Sequence, residues 1–365
     1  MLNRFLKGFL LGLVYFFLYT PICATPTGIV NVYNWAYVLT PEILRQFEEE
    51  TGIKVNYDVY DTSEVMETKL FAGHSGYDVV VVTVWPYFSR QLQAHLYQPI
   101  QSSLIPNSLE LNTDLLKRME EIDPGNRFGL PFLWGTHGFA LNRKMILERF
   151  PKAPLDSFAM LFDPSVVARF ADCGVMLIDS PVDVFPAVLS YLKKDPHSEE
   201  LEDLKQASQR LSQVKPYIKK FQPVPSVGDL TSGNYCLVQG FSGELLLAQR
   251  LGKENGVDIN YVIPKEGTAL WVDAFAIPQD ASHVPEAHAF INFILRPDII
   301  AKITNTFETA NSVPASLSFV KEEIKGNPLI YPSKKILEKL YVDKTHSPRY
   351  ERLRLREWTR MKIGR

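Results

Sequence analysis

Between Val30 and Val59 the chain spells a strand, a helix and a second strand without interruption. A unit of that kind commits a chain to an α/β layer. Val30, Val32 and Tyr33 predict a short strand that breaks at Asn34-Trp35, leaving a large indole at the mouth of a strand-to-helix turn, where α/β folds place ligands. Thr40 is placed to cap the helix, Pro41 suits its first turn, Ile43, Leu44 and Phe47 form its buried stripe, and Gly52 ends it. Ile53, Val55, Tyr57 and Val59 then alternate with polar residues as a half-covered strand does. A short helix is expected over 62–72. The valine-rich run from Tyr77 to Val84 reads as a strand covered on both faces, as in the middle of a parallel sheet. Trp35, Asp61 and Thr83 all fall at carboxyl ends of these strands.

Ahead of this lobe, Arg4 and Lys7 precede an apolar run from Phe9 to Tyr19 and a polar end at Thr20 to Ala24. That is the layout of a cleaved secretory leader, and the run is short of the ~20 residues of a membrane span. Cys23 lacks the small residue before it that lipid attachment needs, since Ile22 is bulky. Losing Arg4 and Lys7 with the leader takes the formal charge from −2 to −4, which argues against nucleic acid as a partner. The 46% hydrophobic content is enough for cores in two domains. Only Cys173 and Cys236 then remain. In an oxidising compartment two cysteines so far apart read as a disulfide, two buried free thiols being the alternative.

A second α/β pattern follows an extended segment from Phe128 to Thr136. Helices are expected over 145–150, 184–192 and 285–295, strands over 175–178, 262–264 and 271–277, and a helical stripe at Leu201, Leu204, Leu211 and Val214. Enzymatic readings find no support. The seven histidines lack metal-ligand spacing, there is no G-x-S-x-G and no Walker loop, and Asp179 and Asp183 are too close along one local element to flank a scissile bond. No cofactor is implied.

The run YNWAYVLTPEILRQFEEETGIKVNYDVYDTSEVMETKL, followed by AGHSGYDVVV, resembles the periplasmic polyamine-binding proteins of bacterial ABC importers, the putrescine-binding branch above all. RFGLPFLWGTHGFALN, ADCGVMLIDSPVDVFPAVLSYL, SGNYCLVQGFSGELLLA, VIPKEGTALWVDAFAIP and AHAFINFILRPDIIAKI extend the likeness over nearly the whole mature chain. The resemblance implies a two-lobed type II periplasmic binding fold, with a central mixed sheet in each lobe and a ligand cleft between them. It places 27–133 plus about 268–312 in the first lobe, and 134–267 plus about 313–365 in the second. It also implies a Cys173–Cys236 disulfide, worth about 4 kcal/mol in the chain-entropy model. The expected function is capture of putrescine or spermidine by a periplasmic monomer that hands it to an inner-membrane permease. A polyamine sensor acting through a membrane receptor, or a receptor for another cation, is the alternative.

A polyamine needs apolar or aromatic walls for its methylenes and carboxylates for its ammonium ends. Matching motifs put Trp35, Phe241 and Trp271 on the walls, Thr83 as a small hydroxyl after the third strand, and Asp183, Glu244 and Asp273 as acceptors, with Asp179 as a nearby acid that could instead cap a helix. Asp273 within an apolar strand must be paired or hydrogen-bonded. The chain departs from the family after Trp35, where Ala36, Tyr37 and Val38 replace serine, aspartate and tyrosine, and in FETAN, where Glu308 replaces a wall tyrosine. Glu308 is expected to restore the lost carboxylate and Tyr37 the lost ring. The C-terminal arginines read as a solvated face over a packed stripe of Leu353, Leu355 and Trp358.

Overall fold

The computed structural model describes residues 28–36, 38–224 and 227–364. The leader and Tyr37 lie outside the described residues. The first unit forms as read. Strand β1 (Gly28–Trp35), helix α1 (Pro41–Thr51) and strand β2 (Ile53–Tyr60) follow in order. β1 continues through Asn34 and Trp35 instead of breaking there, because its parallel register with β2 runs on to Trp35 opposite Tyr60. Ile43 and Phe47 bury the inner face of α1. Gly52 closes it at φ 69°, a left-handed backbone that glycine adopts without strain, donating its N–H to the Glu48 carbonyl. Thr40 stands at the N-terminal position, but its hydroxyl makes no capping bond to the helix backbone.

Helix α2 (Ser63–Phe71) is capped by the Thr62 side chain, which accepts from the Val65 N–H, and strand β3 (Val79–Thr83) follows. Val79 to Val82 are fully buried, as a strand covered on both faces requires. β3 pairs in parallel with β1 on one side, but its other neighbour is antiparallel, so the sheet is mixed. A local run of valines carries burial, and the direction of a distant partner is decided elsewhere.

Strand β4 (Gly129–Asn142) is buried along its whole length and belongs to both halves of the molecule. Its first part pairs with strands of the first lobe, and its second part, from His137 on, with strands of the second. The extended segment expected between lobes is thus one continuous strand.

The second lobe contains β5 (Val175–Ile178), α3 (Pro181–Tyr191), α4 (Leu201–Val214), β6 (Lys220–Gln222), β7 (Leu237–Phe241), α5 (Ser242–Glu254) and β8 (Ile259–Val262). Leu204, Leu211 and Val214 bury the expected stripe of α4, while Leu201 at its start is exposed. Cys173 and Cys236 form a disulfide with Cα atoms 5.5 Å apart. It joins the chain just ahead of β5 and β7, which run parallel with Val175 opposite Leu237.

The chain returns to the first lobe through β9 (Leu270–Ala276), α6 (Val284–Ile294), α7 (Pro297–Phe307) and the short β10 (Ala310–Asn311). The strand order is β2-β1-β3-β9-β4-β7-β5-β6, with β8 and β10 also pairing to β4. Residues beyond 312 stay on the first lobe: Asn305 holds the Phe319 carbonyl and the Lys321 N–H. Tyr341 then bonds alongside β9, through Leu270 N–H to Tyr341 O and Tyr341 N–H to Thr268 O. Only after that does helix α8 (Pro348–Ile363) pack on α3 and α4. The last passage between lobes therefore lies near Tyr341, well past the 313 expected from the sequence. Three stretches, in β4, at the start of β9 and at Tyr341, run side by side between the two sets of strands.

Candidate ligand cleft

The first lobe presents Trp35 from the end of β1, Thr83 from the end of β3, and Asp273 from β9. Antiparallel pairing sets Thr83 directly opposite Asp273, and the Thr83 hydroxyl donates to Asp273 Oδ1 at 2.8 Å. Asp273 is 7% exposed. Burial pushes its carboxyl up to about 7, against the pull of Thr83 and the Trp35 indole, and the nearby Glu244 charge adds to the rise. Glu244 comes from the first turn of α5 in the other lobe and is itself raised by burial. The two lobes thus bring the charges of two enclosed carboxyls within reach of each other, and no cation among the described residues contributes to either shift.

The expected wall aromatics lie on β1, β9 and β7. The Trp35 ring lies 4.4 Å from that of Tyr60. Trp271 sits two residues before Asp273 and lies over Gly135 in β4, where any Cβ would collide with its ring and with Ser242 Oγ. Both indole N–H groups are buried and have no normal hydrogen-bond partner. Phe241, at the end of β7, stands edge-on to the His137 ring at 4.7 Å.

A second acidic region lies toward α3. Asp183, in the first turn of that helix, has Oδ1 3.5 Å from His137 Nδ1. Burial lowers the His137 pKa despite Asp183, so the imidazole is neutral at pH 7 and leaves the carboxylate uncompensated. Asp343, two residues past Tyr341 in the last passage between lobes, is pushed up to about 8, first by burial and then by the Asp183 charge, with Glu351 raising and Arg354 lowering it. The Asp183 charge also reaches Tyr87 of the first lobe, whose hydroxyl burial and Glu64 hold well above its ordinary range. Asp343 and His137 escaped the sequence reading. The one local signal for Asp343 was an acid directly following the apolar pair Tyr341-Val342.

Two expected residues are engaged elsewhere. Both oxygens of Asp179 meet Lys362 Nζ, at 2.7 and 2.6 Å, and Oδ1 also accepts from Trp358 Nε1 at 3.1 Å. Asp179 therefore ties α8 to the β5–α3 turn. It neither caps α3, whose N-terminal position is Ser180, nor offers a free charge to a ligand. Glu308 ends α7 at φ 53° with its carboxylate on Arg250 Nε at 2.5 Å, so its charge is spent on a cation of the chain. Val38, at one of the altered positions after Trp35, is buried in the first-lobe core. Among the described residues no group of three or more His, Cys, Asp or Glu could hold a metal, and no helix is long and apolar enough to cross a membrane.

Residues 42–332 match the model of the bacterial extracellular solute-binding protein family. The chain is 39% identical over 345 residues to the putrescine-binding periplasmic protein SpuD of Pseudomonas aeruginosa, covering 94% of each chain. It is 38% identical to the putrescine-binding periplasmic protein PotF of Escherichia coli, covering 92% of each. Among solved structures, a putative spermidine/putrescine ABC transporter protein from Listeria monocytogenes superposes with a TM-score of 0.82 at 28% identity, over 92% of this chain and 99% of that one. With the α/β fold and these matches, the chain belongs to the bacterial extracellular solute-binding proteins, a family of receptors and not of enzymes.

Proposed function

We propose that this protein captures a linear polyamine of the putrescine or spermidine class in the cleft and delivers it to the permease of an ABC importer. The observation that carries this reading is the pair Asp273–Glu244, with Thr83 bonded to Asp273, the Trp35 indole beside it and no cation among the described residues contributing to either shift. Burying carboxylates unpaired is costly, and an ammonium in the same space removes the cost. Trp35, Trp271 and Phe241 cover the methylenes, each ring adding about 0.5–2 kcal/mol to a cation over its face. Asp183 and Asp343 take the second ammonium, and Thr83 orients Asp273. Tyr37 stays in the set on sequence grounds alone. Asp179 and Glu308 leave it, because each is already paired with a cation of the chain.

The expected setting is the periplasm, reached by cleavage of the leader near Ala24, with the protein acting as a monomer. Its first lobe comprises 28–133 with about 270–340, and its second 137–267 with about 343–364. The reading is tested by calorimetric titration of the mature protein, refolded once to strip carried-over ligand, with putrescine, cadaverine, spermidine and norspermidine. Submicromolar binding of one of them is expected. No binding to any of the four would overturn the polyamine assignment and leave the fold intact.

A further inference from the structure

Helices α5 and α7 belong to different lobes, yet they meet. Gly243 of α5 lies so close to Thr309 that an added Cβ would sit 3.0 Å from the Thr309 hydroxyl. Two turns further along α5, Arg250 Nε reaches Glu308 Oε1 at 2.5 Å. Arg250 has a second acid within reach, Glu254 of its own helix, at 3.4 Å. The Glu308 side chain is 13% exposed, whereas that of Glu254 is 59% exposed. The pair to Glu308 is thus the closer and better enclosed of the two.

We infer that Arg250 and Glu308 form a latch between the lobes that favours the closed cleft before any ligand enters. The lever arm supports this. α5 begins at Ser242, whose Oγ accepts from the Thr136 N–H in the first passage between lobes. Arg250 lies eight residues on, so the guanidinium-bearing turn is about 12 Å from that passage at 1.5 Å per residue. Opening by roughly 10° would carry it about 2 Å away from Glu308 on that arm. The ion pair would break, and Arg250 would fall back on Glu254 without leaving its lobe. A latch of this kind shifts the closed population through contacts present in only one state. It is independent of what the cleft binds. A stronger latch slows both entry and release.

The test is small-angle X-ray scattering of the mature, ligand-free protein at low and at 0.5 M salt, a concentration that shortens the range of charge interactions to roughly 4 Å. Arg250→Gln, Glu308→Gln and the exchanged double variant Arg250→Glu/Glu308→Arg are measured beside the wild type. The wild type is expected to be compact at low salt and to expand at high salt. Each single variant is expected to be expanded at both, and the exchanged variant to be compact again. Ligand release from the single variants, followed by stopped flow, should be about threefold to tenfold faster. Ligand-free scattering that changes neither with salt nor with either single substitution would overturn the latch. The wild-type salt series decides the matter even if a variant fails to fold. Because it uses no ligand, its outcome is separate from that of the polyamine titration.

Discussion

Thr83 and Asp273 face each other across the β3–β9 pair, and the 2.8 Å bond from the threonine hydroxyl is the direct hydrogen bond that holds the aspartate in place. Neutral donors, the Thr83 hydroxyl and the Trp35 indole, are a poor substitute for the hydration that Asp273 gave up, so burial dominates its pKa. In the proposed reading, an ammonium of the ligand supplies the charge that Asp273 lacks.

Asp273→Asn should therefore weaken polyamine binding by two orders of magnitude or more, since losing one partner of a buried charged pair costs about 2–5 kcal/mol. The ligand-free protein should melt at the same temperature or higher. Thr83→Val should cost about tenfold in affinity, the worth of a single hydrogen bond to a charged group. Calorimetry and thermal melts check both. An Asp273→Asn protein with undiminished affinity would take Asp273 out of the site.

The pH dependence has opposite signs for the empty and the loaded protein. Asp273 rises from an ordinary 3.8 to about 7, and Asp343 from 3.8 to about 8. The empty native state thus holds more protons than the unfolded chain between about pH 4 and 8, and these two groups make its stability fall as pH rises through that window. A dication needs both groups ionised, so affinity should rise over the same window. Binding at pH 7 should release about one proton or more. Titrations in buffers of different ionisation enthalpy measure this directly. A heat independent of buffer would contradict the assignment.

Asp343→Leu separates the second acidic region from the first. It should reduce affinity for a diamine at least tenfold and remove the upper part of the pH slope, above pH 7, while leaving the Asp273 contribution below it. If affinity and slope both survive, Asp343 is only a counter-ion of the buried Arg354.

Asp179→Asn should leave ligand affinity within about twofold, because its carboxylate serves Lys362 and Trp358. The pair is about a quarter to a third exposed, so the change should cost no more than about 1 kcal/mol of stability. A large loss of binding would return Asp179 to the cleft.

Replacing Cys173 and Cys236 together by serine should lower stability by about 4 kcal/mol, yet spare binding at 25 °C. The disulfide precedes the starts of β5 and β7, whereas Asp183 comes after the far end of β5 and Phe241 is the last residue of β7. Chemical denaturation beside calorimetry distinguishes the two effects.

Much of this architecture is local chemistry and could be read from the chain alone. Gly52 ends α1, Ile43 and Phe47 give it a buried face, and four valines make β3 a central strand, because each outcome depends on neighbours a few positions away. Motif singled out Asp183, Glu244 and Asp273 as candidate acids, the first two in the first turns of helices and the third inside β9. What motif could not tell was whether a given carboxylate is free. Asp179 and Lys362 are 183 residues apart, and Arg250 and Glu308 come from different lobes, so only folding decides that these acids are neutralised. The same folding sets the Asp183 charge near enough to Asp343 to raise its pKa, against the pull of Arg354. A charge is set by what surrounds it in space, and along the chain that environment is scattered over half the sequence.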